Sequence, residues 1–171
     1  MKHLHWVLIA FAAAVLAGCS GRTKKAEQSE AQQPIVNAEV GVALLQIVNA
    51  DHLSLAVYNH DSLSTYQSRG VQDLLLLVSE EPDRLQGAIV ADKMVGKAAA
   101  ALMISAGVAE VYTNLICTPA KELLHDAGVA VHAAEEVPQI LNRDRSGQCP
   151  IDSRLNDAMS VEECVEILRA M

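Results

Sequence analysis

Aromatic residues are scarce in this sequence: Trp, Phe and Tyr make up 3% of 171 residues, with a single Trp and a single Phe. Trp6 and Phe11 both fall in the first eighteen residues, so beyond them only Tyr58, Tyr66 and Tyr112 remain. A core must then be assembled from Leu, Val, Ile, Ala and Met. Positive charge is also short, with 13 Lys and Arg against 21 Asp and Glu and a formal net charge of −8. Such a surface excludes DNA, RNA and anionic headgroups as non-specific partners. A membrane span is missing as well. The longest apolar run, residues 6–17, is twelve residues long, whereas a spanning helix needs about 20. There is no internal repeat.

The short apolar run follows a weakly basic head and ends in Leu16-Ala17-Gly18-Cys19. This pattern fits a secretory signal closed by a bacterial lipobox. Small residues at 17 and 18 admit a peptidase, and the Cys19 thiol carries the lipid. The expected organisation is a signal peptide over 1–18, a lipidated cysteine and flexible tether over 19–38, and a domain over 39–171. Loss of Lys2 with the signal leaves twelve basic and twenty-one acidic residues, a formal charge of −9. The membrane contact is therefore the lipid on Cys19 and not a basic patch. Ser20 after the cysteine does not resemble an inner-membrane retention signal, which points to the outer membrane in a cell that has one. The tether is polar and cannot bury a core; as a coil it spans on the order of 25 Å.

Within the domain, Val40, Leu44, Ile47 and Val48 have helical spacing. Alternating runs on either side of Asn59-His60-Asp61 predict a hairpin over 54–68. Gly70 opens a second helix that ends at Glu80-Glu81-Pro82. Gly87–Val90 predicts a buried strand, and residues 91–103, ADKMVGKAAAALM, predict a helix capped by Asp92 and stopped at Gly107. Glu110–Cys117 is β-rich. Thr118-Pro119 starts a helix to Asp126, and Gly128 precedes a last strand over Val129–Ala133. A terminal helix lies near 161–170. The order predicts an α/β fold, one mixed five-stranded sheet covered by helices on both faces, with a C-terminal helical extension.

Two stretches carry candidate chemistry. In the first, Lys93 and Lys97 lie four apart at the start of a helix, with Gly96 between them. Free N–H groups, the helix dipole and two ammonium groups would hold a small anion such as a phosphate or nucleotide, and Gly96 would admit a close approach. A capped core helix with solvated lysines explains the same residues. In the second, NRDRSGQCPID, Pro150 suits the first helical position and places Cys149 at the N-cap. There the dipole, Arg143 and Arg145 would lower the thiol pKa, and Asn142 and Arg143 would extend an anion rim. The competing reading is a turn fixed by Arg–Asp pairs around a small buried thiol. Arg69, before the second helix, faces the same pocket or solvent. Cys117 at a strand end reads as core. Cys117, Cys149 and Cys164 are odd in number, so in an oxidising compartment at least one thiol stays unpaired or capped.

The element order is similar to that of the cytidine-deaminase-like fold, a three-layer α-β-α sandwich. The words within it resemble domain-of-unknown-function family eighteen ninety-three. They are Ser54-Leu55-Ala56-Val57, Ser68-Arg69-Gly70-Val71, Ala91 through Ala100, Val137 through Arg143, and Cys149-Pro150. The resemblance covers about 42–165. The family pattern carries Glu where Asp152 stands, and its members are mostly cytoplasmic, so Asp152 and the lipobox are departures. A zinc deaminase needs H-x-E at one helix start and P-C-x-x-C at the next. This chain has Arg69-Gly70-Val71 and Asp92 through Gly96 there, so neither a zinc site nor another cofactor is expected. The expected function is a lipid-anchored, non-zinc deaminase-like domain that binds a small anionic ligand. The alternatives are an enzyme using Cys149 as nucleophile and a structural lipoprotein that docks a partner.

Overall fold

The computed structural model describes residues 23–171, with side chains from residue 37 onward. The signal peptide and Cys19 lie outside the described residues. Two compact units divide the chain, 1–37 and 38–171. Helix α1 spans Thr23–Ala50 and so begins inside the stretch whose polarity predicted a coil. Ala, Glu, Gln and Lys dominate that stretch and are strong helix formers.

The hairpin follows as β1 (Leu55–Asn59) and β2 (Ser62–Tyr66), paired from Leu55↔Tyr66 to Asn59↔Ser62. Its two-residue turn, His60-Asp61, takes positive φ at both positions (48° and 57°), as this tight hairpin demands. Next come α2 (Gln72–Glu80), the short α3 (Pro82–Leu85) and β3 (Ile89–Val95). Then α4 (Lys97–Ser105), β4 (Glu110–Cys117), α5 (Thr118–Asp126) and β5 (Ala130–Val137) complete the alternating part. The C-terminal extension holds α6 (Pro150–Ser153) and α7 (Val161–Arg169). Ser160 caps α7 by accepting from the Glu163 N–H. The sheet is mixed and five-stranded in the order β2-β1-β3-β4-β5, antiparallel at β1–β2 and β1–β3 and parallel from β3 to β5.

Apolar residues from successive positions of each strand join different clusters. Leu44 and Val48 of α1 pack with Ala56, Ile89, Ala91 and Tyr112. Leu55, Val57, Val90 and Val111 join the larger cluster built with α2, α4, α5 and α7. Both faces of the sheet are thus covered. Gly41 lies where any Cβ would run into the Tyr112 ring, which brings α1 close to the strands.

Two further elements differ from the sequence expectation. The last strand runs on to Val137 because it pairs with β4 through Cys117↔Val137. More consequentially, Asp92, Lys93 and Met94 belong to β3 and not to a helix, because Asp92 is paired on both sides, with Leu55 and Thr113. Two bonded neighbours outweigh the local helix preference of the alanine run. The alternation breaks here. Val90 and Val95 of β3, and Val111 and Ile116 of β4, all join the larger cluster although each pair is separated by an odd step. At the slip, Asp92 Oδ1 accepts from the Met94 N–H at 2.9 Å, and Thr113 Oγ1 accepts from the Leu115 N–H at 3.3 Å. Side-chain acceptors hold the same break in neighbouring strands.

This position has a titration consequence. Burial pushes the half-buried Asp92 carboxyl up to about 7, and the Met94 N–H pulls it back only in part. A carboxyl with a raised folded pKa binds its proton more tightly folded than unfolded, so stability falls as pH rises from the ordinary 3.8 to about 7. Asp92→Asn is expected to flatten the fall across that window, and by about pH 8 to recover stability on the order of a few kcal/mol relative to wild type. Urea unfolding of both proteins at several pH values measures this; parallel curves would refute it.

Candidate ligand cleft

The parallel strands β3, β4 and β5 end on the same side of the sheet, where α4 and α5 begin. A cleft of about 290 Å³ opens there, lined by Lys97, Cys117, Pro119 and Asp152. The chain after β5 and around α6 supplies its other wall, with Pro138, Gln139, Ile140, Gln148 and Asn156.

Its organising contact joins residues 55 apart. Asp152, in α6, is 5% exposed. Its carboxylate accepts from the Lys97 N–H at 3.3 Å and from the Ala98 N–H at 3.1 Å. These are the first residues of α4, whose own N-cap, Gly96, has no side chain to offer. Asp152 thus caps α4 from a distance, where a negative group also meets the positive end of the dipole. Gly96 has ordinary backbone angles, so its role is spatial: any Cβ there would collide with the Asp152 carboxylate. The Lys97 ammonium turns the same way and donates to the Leu155 and Ala158 carbonyls at 2.6 and 3.0 Å.

Burial raises the Asp152 pKa, opposed by the Ala98 and Lys97 N–H groups and by the Lys97 charge. Burial likewise raises the Cys117 thiol, so this cleft-lining sulfur is held as a thiol rather than a thiolate. Cys164 is buried in the larger cluster and is raised for the same reason.

Of the candidate residues, Gly96 and Lys97 meet at this site, but not as an anion trap. The N–H groups expected to be free are taken by a carboxylate of the chain itself, and the Lys97 ammonium is taken by backbone carbonyls. Lys93 is exposed on β3. Asp92 caps no helix, since its side chain accepts from Met94 within the strand. Neither residue lines the cleft. Arg69 is exposed beside positive-φ Gly70 and does not line the cleft.

Cys149 does take the N-cap of α6 with Pro150 first in the helix, and its N–H donates to the Ile140 carbonyl at 2.8 Å. Its thiol is half-buried against the larger apolar cluster and outside the cleft lining. The 142–147 loop is closed by Asn142, whose Oδ1 accepts from the Ser146 and Gly147 N–H groups at 2.9 and 3.2 Å. Among the described residues no Arg–Asp pair fixes that loop. Arg143 and Arg145 are exposed. Among the described residues no group of three His, Cys, Asp or Glu side chains is placed to hold a metal ion.

The residues that sequence reasoning missed are Asp152 as a cap, Cys117 as a wall, and the amides of Gln139, Gln148 and Asn156. The glycine just ahead of the alanine run was the one visible signal of the first.

Asp152→Ala is expected to cost about 1–3 kcal/mol, the loss of a buried charged acceptor that satisfies two N–H groups. Gly96→Ala is expected to destabilise the wild type by a similar amount yet cost little once Asp152 is Ala, because the obstructing carboxylate is gone. Thermal or urea unfolding of the four proteins in this double-mutant cycle tests the contact; additive effects would refute it.

None of the curated proteins compared with the chain matches it. A crystal structure of a DUF1893 family protein from Thermotoga maritima at 2.70 Å resolution is similar, with a TM-score of 0.69 and 28% sequence identity. The likeness covers 75% of this chain and 86% of that one. The family model described as Domain of unknown function (DUF1893) matches residues 43–171, which is every element from the second half of α1 to the C-terminus. The chain belongs to the DUF1893 family.

Proposed function

We propose that this protein is a lipid-anchored ligand-binding domain with a three-layer, cytidine-deaminase-like sandwich and no zinc chemistry. The lipid on Cys19 holds it at a bacterial cell envelope, facing outside the cytoplasm. Apolar clusters on both faces of the sheet support the layered reading. The lipobox pattern supports the anchor.

The observation that carries ligand binding is the cleft of about 290 Å³ at the carboxyl ends of three parallel strands. Open α/β sheets bind ligands at this end, and the volume suits a small molecule. The chemistry of the walls favours a neutral polar ligand over the anion that the lysine spacing suggested. Lys97 and the start of α4 are already occupied by groups of the chain. The lining keeps a carboxyl group, a protonated thiol, three amides and apolar prolines. No observation favours a Cys149 nucleophile, since that thiol stands outside the cleft.

Thermal shift of the full chain against inorganic phosphate, nucleotides and neutral nucleosides and amides tests the ligand class. Neutral compounds are expected to raise the midpoint and phosphate to leave it unchanged. A phosphate shift abolished by Lys93→Ala would restore the anionic reading, and silence across the whole panel would favour a docking lipoprotein. For the anchor, Cys19→Ala is expected to abolish labelled-palmitate incorporation and to move the protein out of the membrane fraction; unchanged fractionation would refute it.

A further inference from the structure

The cleft carries a closed pair of side-chain amides. Gln148 Nε2 donates to Asn156 Oδ1 at 3.0 Å, and Asn156 Nδ2 donates to Gln148 Oε1 at 3.2 Å. Both amides line the cleft. Each therefore presents the other with one donor and one acceptor side by side, the pattern of a cyclic amide dimer.

We propose that this amide pair is the recognition edge of the cleft and selects a neutral ligand bearing a primary amide or a lactam. The inference rests on the reading of the cleft as a ligand site. Three features of the geometry lead to it. First, the pair is closed on itself but replaceable. Gln148 is half-buried and Asn156 is exposed, so their mutual bonds contribute little net stability and exchange readily for equivalent ones. A cis-amide edge offers the same donor and acceptor and can take the place of the exposed Asn156 amide, which then turns to water.

Second, the two backbones are held firmly. The Cys149 N–H beside Gln148 is tied to Ile140, and the Leu155 carbonyl beside Asn156 is tied to the Lys97 ammonium. Asp152, midway between the amides, is fixed to α4. The amides thus swing on fixed anchors, which lowers the ordering cost of binding. Third, charge selects against an acid. The only ammonium in the lining is committed to two carbonyls, and the lining also holds the Asp152 carboxyl. A carboxylate ligand would bring two acceptors and no donor to a wall that offers no free cation. Pro119, Pro138 and Ile140 give the apolar surface against which a flat ring rests.

Calorimetric titration of the full chain with benzamide, 2-pyridone and benzoate tests the inference, since the first two present an N–H and C=O edge and benzoate, equal in size to benzamide, presents a carboxylate. Benzamide and 2-pyridone are expected to bind with dissociation constants of about 1 mM, as fits fragments of this size, and benzoate at least roughly tenfold more weakly. Gln148→Glu, which keeps the shape but removes the donor, is expected to weaken benzamide about tenfold, whereas Asn156→Leu, which removes the competing partner, is expected to leave benzamide binding at least as tight, both with circular dichroism and unfolding midpoint close to wild type. Equal binding of benzamide and benzoate, or full benzamide affinity in Gln148→Glu, would overturn the amide selection while leaving the cleft a binding site. Absence of binding by all three probes, together with silence across the neutral panel, would overturn the cleft reading as well.

Discussion

One buried carboxylate decides how the C-terminal third of this domain meets its sheet. A lone ionised acid in the interior costs several kcal/mol unless other groups compensate it. Asp152 is compensated by two N–H groups at the start of α4 and by the neighbouring Lys97 charge. Burial still outweighs them in setting its pKa, so the contact is under electrostatic tension rather than simply favourable. The same lysine holds the Leu155 and Ala158 carbonyls. Cap and clamp therefore act as one junction, through which α6 and the chain towards α7 are fastened to the end of β3. Leu155, Cys164 and Leu168 then fill the core beneath it.

The junction also shapes the cleft. Because the helix end and the ammonium are turned inward to protein groups, the walls that remain are amides, a thiol and prolines. Positive charge in the sequence and positive potential at a site are different things here. Lys93 and Lys97 are four residues apart in the chain, yet one lies exposed on a strand and the other begins a helix with its charge committed. The spacing that suggested a paired anion grip has no counterpart in the fold.

Much of the architecture was legible because its signals are local. The Asn59-His60-Asp61 turn, the helical spacing before Ala50 and the Thr118-Pro119 start each depend on residues within a few positions of one another. Residues 91–96 were not legible, for two physical reasons. The Asp92–Met94 bond slips the strand alternation, so the period that marks a strand is lost. The following alanines then extend a helical preference backwards over it. The end of β5 fails similarly, since Ala133, Ala134, Glu135 and Glu136 favour helix and are held extended only by the ladder to β4. The site itself is non-local: the cap and the lysine bonds each join residues more than fifty apart.

Gly96 shows what a sequence can and cannot disclose. A residue without a side chain, just ahead of the alanine run, admits a close approach, and one is made there. What comes close is an acid of the chain itself. Short as it is, the acid at 152 does not fall short of α4. A Cβ at residue 96 would already overlap the carboxylate, so α6 lies near enough for Asp to reach the Lys97 and Ala98 N–H groups. A longer side chain would need that backbone to stand further off, and Gln148 and Asn156 on either side of α6 would move with it. The acid at 152 and the glycine at 96 therefore set the width of the cleft between them, as well as capping the helix.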